Sequence, residues 1–170
     1  MKLYMAILRL IHIFGATFWV GVVWYNALFG LPRAKLLGAD RGRIMQTMTA
    51  PPFPQYMTAA SWATALSGIL MYWNRSGGFS AAWLTSPAGI VLGAAGVLGL
   101  LVVLEGFFVQ RPIGMRMAEL GRQAAASGGS PNPAVMQEMQ ALSGRLERAT
   151  YRGAYLLALA AIGMAIFRHV

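Results

Sequence analysis

The sequence predicts an all-α integral membrane protein, folded as a four-helix transmembrane bundle. Of its 170 residues, 57% are hydrophobic and only 11% are charged, whereas a soluble domain carries about 25% charged residues. Four apolar runs each approach the roughly 20 residues that a spanning helix needs. This composition indicates a single membrane domain covering residues 1–170.

The predicted spans are the four apolar runs, at residues 4–31, 53–73, 87–109 and 151–167. The second run is entered through Pro51, Pro52 and Pro54, and Pro87 suits the first position of the third helix. The first run is too long for a cleavable signal peptide and lacks a small-residue cleavage site. We therefore expect it to be a spanning helix.

Basic residues fall mostly on one side of these spans. The loops after the first and third spans contain Arg33, Lys35, Arg41, Arg43, Arg111, Arg116, Arg122, Arg145 and Arg148. The other side has Lys2, Arg75 and Arg168 near its ends, with Arg9 deeper. The positive-inside rule then predicts that both loops lie in the cytoplasm and that both termini lie on the outer side of the cell inner membrane. Basic loops and anionic lipid also explain the net charge of +9 better than nucleic acid does.

The cytoplasmic loop at residues 110–150 is predicted to contain an amphipathic helix. After a flexible break at residues 124–132, apolar residues recur at i, i+4, i+7 and i+11 from Val135. Asn132 is a suitable N-cap, and Pro133 a suitable first residue. The helix either lies on the membrane or extends the fourth span. The alternative is a docking surface for a partner.

The third span contains a small-xxx-small pair, Gly89 and Gly93. Such a pair lets a neighbouring backbone approach closely, either inside the bundle or between protomers. We therefore expect a homo-oligomer or a subunit of a larger membrane complex.

Polar residues in the first span are the main functional signal. His12, Trp19 and Asn26 are spaced by seven, so they lie along one helix face, and Arg9 is one turn before His12. A histidine at this depth can bind iron or another metal, move a proton, or hydrogen-bond to a facing helix. Arg9 can reach lipid headgroups or bind a carboxylate such as a haem propionate. Asn26 is expected to hydrogen-bond across helices.

Glu105 is the only acidic residue inside a predicted span. It is expected either to pair with Arg111, Arg33 or Arg152, or to act as a proton or cation relay.

The second span carries a row of hydroxyl side chains, formed by Thr58, Ser61, Thr64 and Ser67. Hydroxyls in helices commonly bond back to backbone carbonyls, so this row is mainly structural, and the alternative is a polar cavity.

The sulfur-containing residues limit the cofactor chemistry. The absence of cysteine excludes disulfides, thiol catalysis and covalent haem of the C-x-x-C-H type. The eleven methionines leave Cu(I) as an alternative bound metal, because thioether sulfur is a soft ligand. Two methionine pairs have i, i+3 spacing: Met45 and Met48, and Met136 and Met139. Methionine is more often apolar filling.

The first helix resembles a superfamily of membrane proteins. The motifs are RLIH at residues 9–12, TFWVG at 17–21, and WYN at 24–26 followed by Pro32. They resemble the opening helix of the cytochrome-linked urate oxidase N-terminal domain, the copper-resistance D family and the four-helix membrane protoporphyrinogen oxidase. Three later stretches fit the urate-oxidase group loosely, at residues 55–73, 109–112 and 148–169.

The resemblance implies haem chemistry. The haem-synthesis members are thought to bind haem b through this histidine, which implies His12 as axial ligand and Arg9 as propionate contact. Two departures concern missing residues: the only lysines, Lys2 and Lys35, do not match the second-ligand lysine, and no cysteine can attach a cytochrome c haem. In addition, Glu105 stands where the urate oxidases tend to carry asparagine, and their membrane part is larger than four helices. Catalytic activity therefore does not carry over from the resemblance.

The sequence thus favours a b-haem-binding membrane protein serving electron transfer or a redox step, with a separate cytochrome as a partner. Trp19 and Asn26 would shape the pocket, and a methionine such as Met57 or Met71 is a conceivable sixth ligand. Independent catalysis is not supported, so an oxidoreductase component is the expected role. The alternatives are a copper or small-solute transport protein and a structural subunit of a redox complex.

Overall fold

The computed structural model describes residues 2–40, 42, 44, 47, 50–126 and 132–170. Within these residues the chain is almost wholly helical and contains no strand. Three of its long helical stretches are long and apolar enough to cross a membrane: Leu3–Gly38, Pro87–Ala126 and Pro133–His169. Of the features predicted above, Arg41, Arg43, Met45, Met48 and most of the break at 124–132 lie outside the described residues.

We number in chain order six of the α-helical segments, leaving the short helix Leu31–Ala34 unnumbered. They are α1 (Lys2–Tyr25), α2 (Phe53–Arg75), α3 (Ala81–Leu84), α4 (Pro87–Glu105), α5 (Arg111–Ala126) and α6 (Pro133–Ile166). Helix α1 packs chiefly against α2, and α4 chiefly against α6. The fold is therefore two helical hairpins, connected through the short helix α3.

Helix α2, of 23 residues, contains the predicted span at residues 53–73, and it is the one predicted span that is not apolar enough to meet the criterion for crossing a membrane. Its hydroxyl row lowers the hydropathy, and three of these residues are buried: Ser61, Thr64 and Ser67. Their hydroxyls donate to carbonyls three or four residues earlier at 2.6–3.1 Å, as expected for hydroxyls in helices.

Helices α1 and α4 continue beyond their predicted ends through wider π-helical turns. These turns are Asn26–Gly30 and Gly106–Gln110, and a proline follows each at the same spacing, Pro32 and Pro112. A proline ring clashes with the carbonyl four residues earlier, so we attribute each wider turn to this clash. The helical path then continues as Leu31–Ala34 and Lys35–Asp40 after the first turn, and as α5 after the second.

The predicted amphipathic helix is the first half of α6, so it extends the fourth span. Asn132 caps α6, because its Oδ1 accepts from the backbone N–H of Ala134 at 2.9 Å, and Pro133 is the first residue. Both features confirm the prediction. Residues 124–126, predicted as part of the flexible break, are instead the end of α5. The 34 residues of α6 correspond to about 51 Å, which exceeds the ~30 Å hydrocarbon core.

Small residues and an aromatic core hold the helices together. A Cβ at Gly15 would lie 2.6 Å from Thr64 Oγ1, and one at Gly163 would lie 2.9 Å from the Cβ of Ala95. Each hairpin therefore contains a contact that only glycine permits. The central buried cluster joins α1, α4 and α6 through Trp19, Val102, Val103 and Leu157.

Candidate functional site

His12 lies in the contact between α1 and α2, where its ring is fixed by polar atoms of α2. Its Nδ1 is 2.8 Å from the carbonyl oxygen of Thr64 and 3.4 Å from Ser67 Oγ. Because a carbonyl can only accept, the short contact requires Nδ1 to carry the proton and donate. The neutral imidazole then has its lone pair on Nε2.

The free nitrogen of His12 is accessible. Within the described part of the chain Nε2 has no hydrogen-bond partner. The only buried side-chain nitrogen without a partner among those residues is Trp83 Nε1, so His12 Nε2 is not fully buried. The ring is thus held by one nitrogen and presents the other as an acceptor.

Gly68 and Gly15 make room for this arrangement. A Cβ at Gly68 would lie 2.9 Å from His12 Cε1 and 3.2 Å from Nδ1, so any larger residue would displace the ring. Gly15 is one turn after His12, and its missing side chain brings α1 against Thr64. Gly68 is not among the site residues predicted from the sequence. The available signal was a glycine placed directly after the hydroxyl row, on the helix that faces His12.

Arg9 is exposed, one helical turn towards the N-terminus from His12. Its guanidinium has no ion-pair, hydrogen-bond or aromatic partner among the described residues. Residues three apart share a helix face, so this charge lies on the side of α1 that carries His12. It is available to an anionic group near the ring.

Trp19 and Asn26 occupy different surroundings from His12. Trp19 is only 6% exposed and belongs to the central core, with Val20, Val23 and Met57 packed around that cluster. Asn26 begins the first π turn, and its Oδ1 would lie 2.8 Å from a Cβ at Gly30. Its side chain has no partner in another helix within the described residues. The structure therefore does not bring the predicted stripe together around one cavity.

Met57 packs against the core that contains Trp19, about two turns of α1 away from His12. Across the described residues, no group of three or more histidine, cysteine or acidic side chains could hold a metal ion. His12 is thus a predicted ligand whose donor atom has no partner among the described residues, and Met71, the other predicted methionine ligand, lies on α2 one turn after Gly68. His169 lies at the end of the chain, in the last helical turn Phe167–His169.

Glu105 forms an ion pair with Arg152 of α6, one of its three predicted partners. Arg152 Nε is 3.4 Å from Glu105 Oε2, and its NH2 group contacts the other oxygen. The carboxylate is 12% exposed, while the arginine side chain is 58% exposed. Trp24 Nε1 donates to the carbonyl of Ala154 at 3.2 Å, so α1 and α4 both contact α6 at this level.

Further ion pairs connect the extended ends of the helices to α6. Lys35 pairs with Glu147 at 2.5 Å, and Arg116 of α5 pairs with Glu138 through two hydrogen bonds of 2.7 and 2.9 Å. The hydrogen bonds from Arg116 lower the pKa of the Glu138 carboxyl below its ordinary value. We call the end of the bundle that contains these three ion pairs, together with the Glu119–Arg122 pair of α5, the charged layer.

Comparisons with protein-family models, with curated proteins and with solved structures found no match.

Proposed function

We propose that the chain spans the cell inner membrane four times, with the charged layer in the cytoplasm and both termini outside. Three long apolar helices support membrane insertion. Helix α2 is the fourth span in this arrangement, because it pairs along its length with α1 and its hydroxyls are bonded internally. Self-satisfied hydroxyls remove the main cost of placing such a helix in lipid.

The same protein, in this proposal, binds haem b and serves electron transfer or a membrane redox step. The observation that carries it is the fixed ring of His12: Nδ1 bonded to the Thr64 carbonyl and Nε2 free and accessible. Histidine ligands typically donate their other ring N–H to a carbonyl or carboxylate, which fixes the tautomer and the ring orientation. The similarity of residues 9–26 to the haem-binding membrane proteins points the same way.

The available donor set fits haem better than a bare metal ion. A metal ion bound by nitrogen and oxygen ligands of the protein alone needs several of them, and the described residues hold no group of three or more histidine, cysteine or acidic side chains. Haem brings four nitrogen ligands of its own and needs as little as one from the protein. A transport path through Glu105 is less supported, because that carboxylate is paired with Arg152.

Each residue of the site has a definite task in this proposal. Thr64 and Ser67 hold the imidazole, Gly68 leaves space for it, and His12 Nε2 would bind the haem iron. Arg9 is exposed one turn nearer the N-terminus, where its charge would neutralise a haem propionate. Bound haem supplies a one-electron couple, which a separate cytochrome partner would complete. Trp19 holds the helices in place from the core.

The test is a reduced-minus-oxidised visible spectrum of the protein purified from haem-replete cells. We expect b-type bands in the wild type, bands in His169→Ala, and their loss in His12→Ala. His169 is the matched control because it is the only other histidine and lies at the same end. Bands that persist unchanged in His12→Ala would refute the ligand assignment. Wild-type protein that takes up no haem when reconstituted with it would refute the function.

A further inference from the structure

A second candidate site lies at the end of the bundle opposite the charged layer. An open cleft of about 640 Å³ is bounded by the end of α2, helix α3 and the first turn of α4. Its lining includes Arg75, Ser76, Trp83 and Ser86. A neighbouring depression of about 370 Å³ shares Arg75 with it and also includes Arg168.

Two arginines give this cleft its positive charge, and Val170 also lines it. Arg75 lies over the rings of Trp83 and Phe167, with its guanidinium carbon 5.3 and 5.9 Å from the ring centroids. Arg168 lies 5.6 Å over the ring of Phe167. Among the described residues neither arginine pairs with a carboxylate, whereas the described glutamates all lie in the charged layer.

The arginines of the cleft have unused hydrogen-bond donors. Within the described residues, neither guanidinium has a hydrogen-bond partner. The hydroxyls of Ser76 and Ser86 already donate to the carbonyls of Trp73 and Trp83, at 3.1 and 2.7 Å. Trp83 Nε1 also lacks a partner, but it is buried and does not reach a ligand in the cleft. A ligand of opposite charge with several oxygens satisfies the two guanidinium groups.

We propose that this cleft binds an oxyanion of the phosphate class. Arg75 is the principal contact, because it lines both depressions and its guanidinium lies close to two aromatic rings that limit its motion. Arg168 adds a second positive charge. The phosphate belongs either to a phospholipid headgroup or to a soluble ion, since both offer the same oxygens. The site is independent of haem binding.

Two measurements on the full-length protein separate the two sources. In the first, detergent-purified protein is titrated with inorganic phosphate by calorimetry at constant ionic strength. In the second, protein from vesicles of phosphatidylglycerol and phosphatidylcholine is analysed by native mass spectrometry for retained lipid. Each is repeated with Arg75→Gln, Arg168→Gln and the matched control Arg145→Gln, an exposed arginine on α6.

Loss of one charged contact is expected to weaken binding by about 10- to 100-fold in Arg75→Gln, with a smaller loss in Arg168→Gln. Arg145→Gln should bind like the wild type. Phosphate binding that follows this order supports a soluble ligand, and preferential lipid retention that follows it supports a headgroup. The proposal is overturned if the wild type binds neither probe, or if Arg145→Gln reduces binding as much as the cleft variants. Because Arg168 is exposed in the last turn, its variant tests the site even if Arg75→Gln does not fold.

Discussion

In the α1–α2 hairpin, the glycine contact at Gly15 adjoins a polar group, since His12 reaches across to the Thr64 carbonyl. In the α4–α6 hairpin, Gly163 contacts only apolar Ala95 and the backbone of α4. Both hairpins use glycine to bring helices close, but only the first uses that closeness to orient a titratable side chain. In the proposed function a polar residue inside the membrane is costly without a purpose, so the α1–α2 hairpin is the one proposed to carry the haem site.

The largest difference between the hairpins should come from filling the Gly15 contact. A Cβ there meets Thr64 Oγ1 at 2.6 Å and the backbone carbonyl of Ala60 at 3.2 Å. We expect Gly15→Leu to separate α1 from α2, abolish the haem spectrum and lower the free energy of unfolding by about 1–3 kcal/mol. Unfolding in mixed micelles and the visible spectrum measure both effects. Gly96→Leu is the control, since a Cβ at Gly96 meets nothing within 4 Å.

Filling the second hairpin should affect stability without affecting the site. Gly163→Leu places its side chain against Ala95, and we expect a loss of about 1–3 kcal/mol in the free energy of unfolding. Folded Gly163→Leu protein should retain the haem spectrum. Equal loss of haem in Gly163→Leu and Gly15→Leu would remove the functional distinction between the hairpins.

The Glu105–Arg152 pair should contribute less, because its arginine is more than half exposed. A double-mutant cycle with Glu105→Gln and Arg152→Gln is expected to give a coupling energy of about 0.5–1 kcal/mol. Unfolding of the four proteins measures it. A coupling near zero, together with proton-dependent transport lost in Glu105→Gln, would favour the relay function instead.

The smallest expected effect is the loss at low pH of the stabilisation that the Arg116–Glu138 pair provides. The pKa of Glu138 is lowered in the folded state, so its stabilising effect is present above its ordinary pKa of 4.5 and is lost as the pH falls through the lower folded value. We expect Glu138→Gln to loosen the α5–α6 contact at neutral pH, and the difference from wild type to diminish as the pH falls below the ordinary pKa of 4.5 and through the lower folded value. Hydrogen exchange of α5 measures this. An unchanged difference at low pH would show that the ion pair is not its cause.

Much of the fold follows from the sequence because the relevant signals are local. Asn132 and Pro133 mark the start of α6, and Pro87 marks the start of α4. The continuation of α1 and α4 past their predicted ends was missed, since Pro32 and Pro112 indicate a helix end by the usual rule. Each proline is accommodated by a π turn, which no residue pattern announced.

The candidate site was only partly predictable, for a physical reason. The sequence identifies His12 as an ionisable group within an apolar run, but its main partner is the backbone carbonyl of Thr64. Every residue has a carbonyl, so this partner carries no signature in the side chains. Trp19 lies on the same face of α1 as His12 but belongs to the core, because two turns further along the helix that face meets different neighbours.

The most direct test removes the His12 side chain and supplies free imidazole from solution in its place. Detergent-purified His12→Gly protein, incubated with haem, should show no b-type spectrum until imidazole is added, because the slot beside Gly68 can then receive the free ring. The double variant His12→Gly with Gly68→Leu should not respond, since its side chain fills that slot. A spectrum in His12→Gly without imidazole, or equal rescue of both proteins, would contradict His12 as the haem ligand.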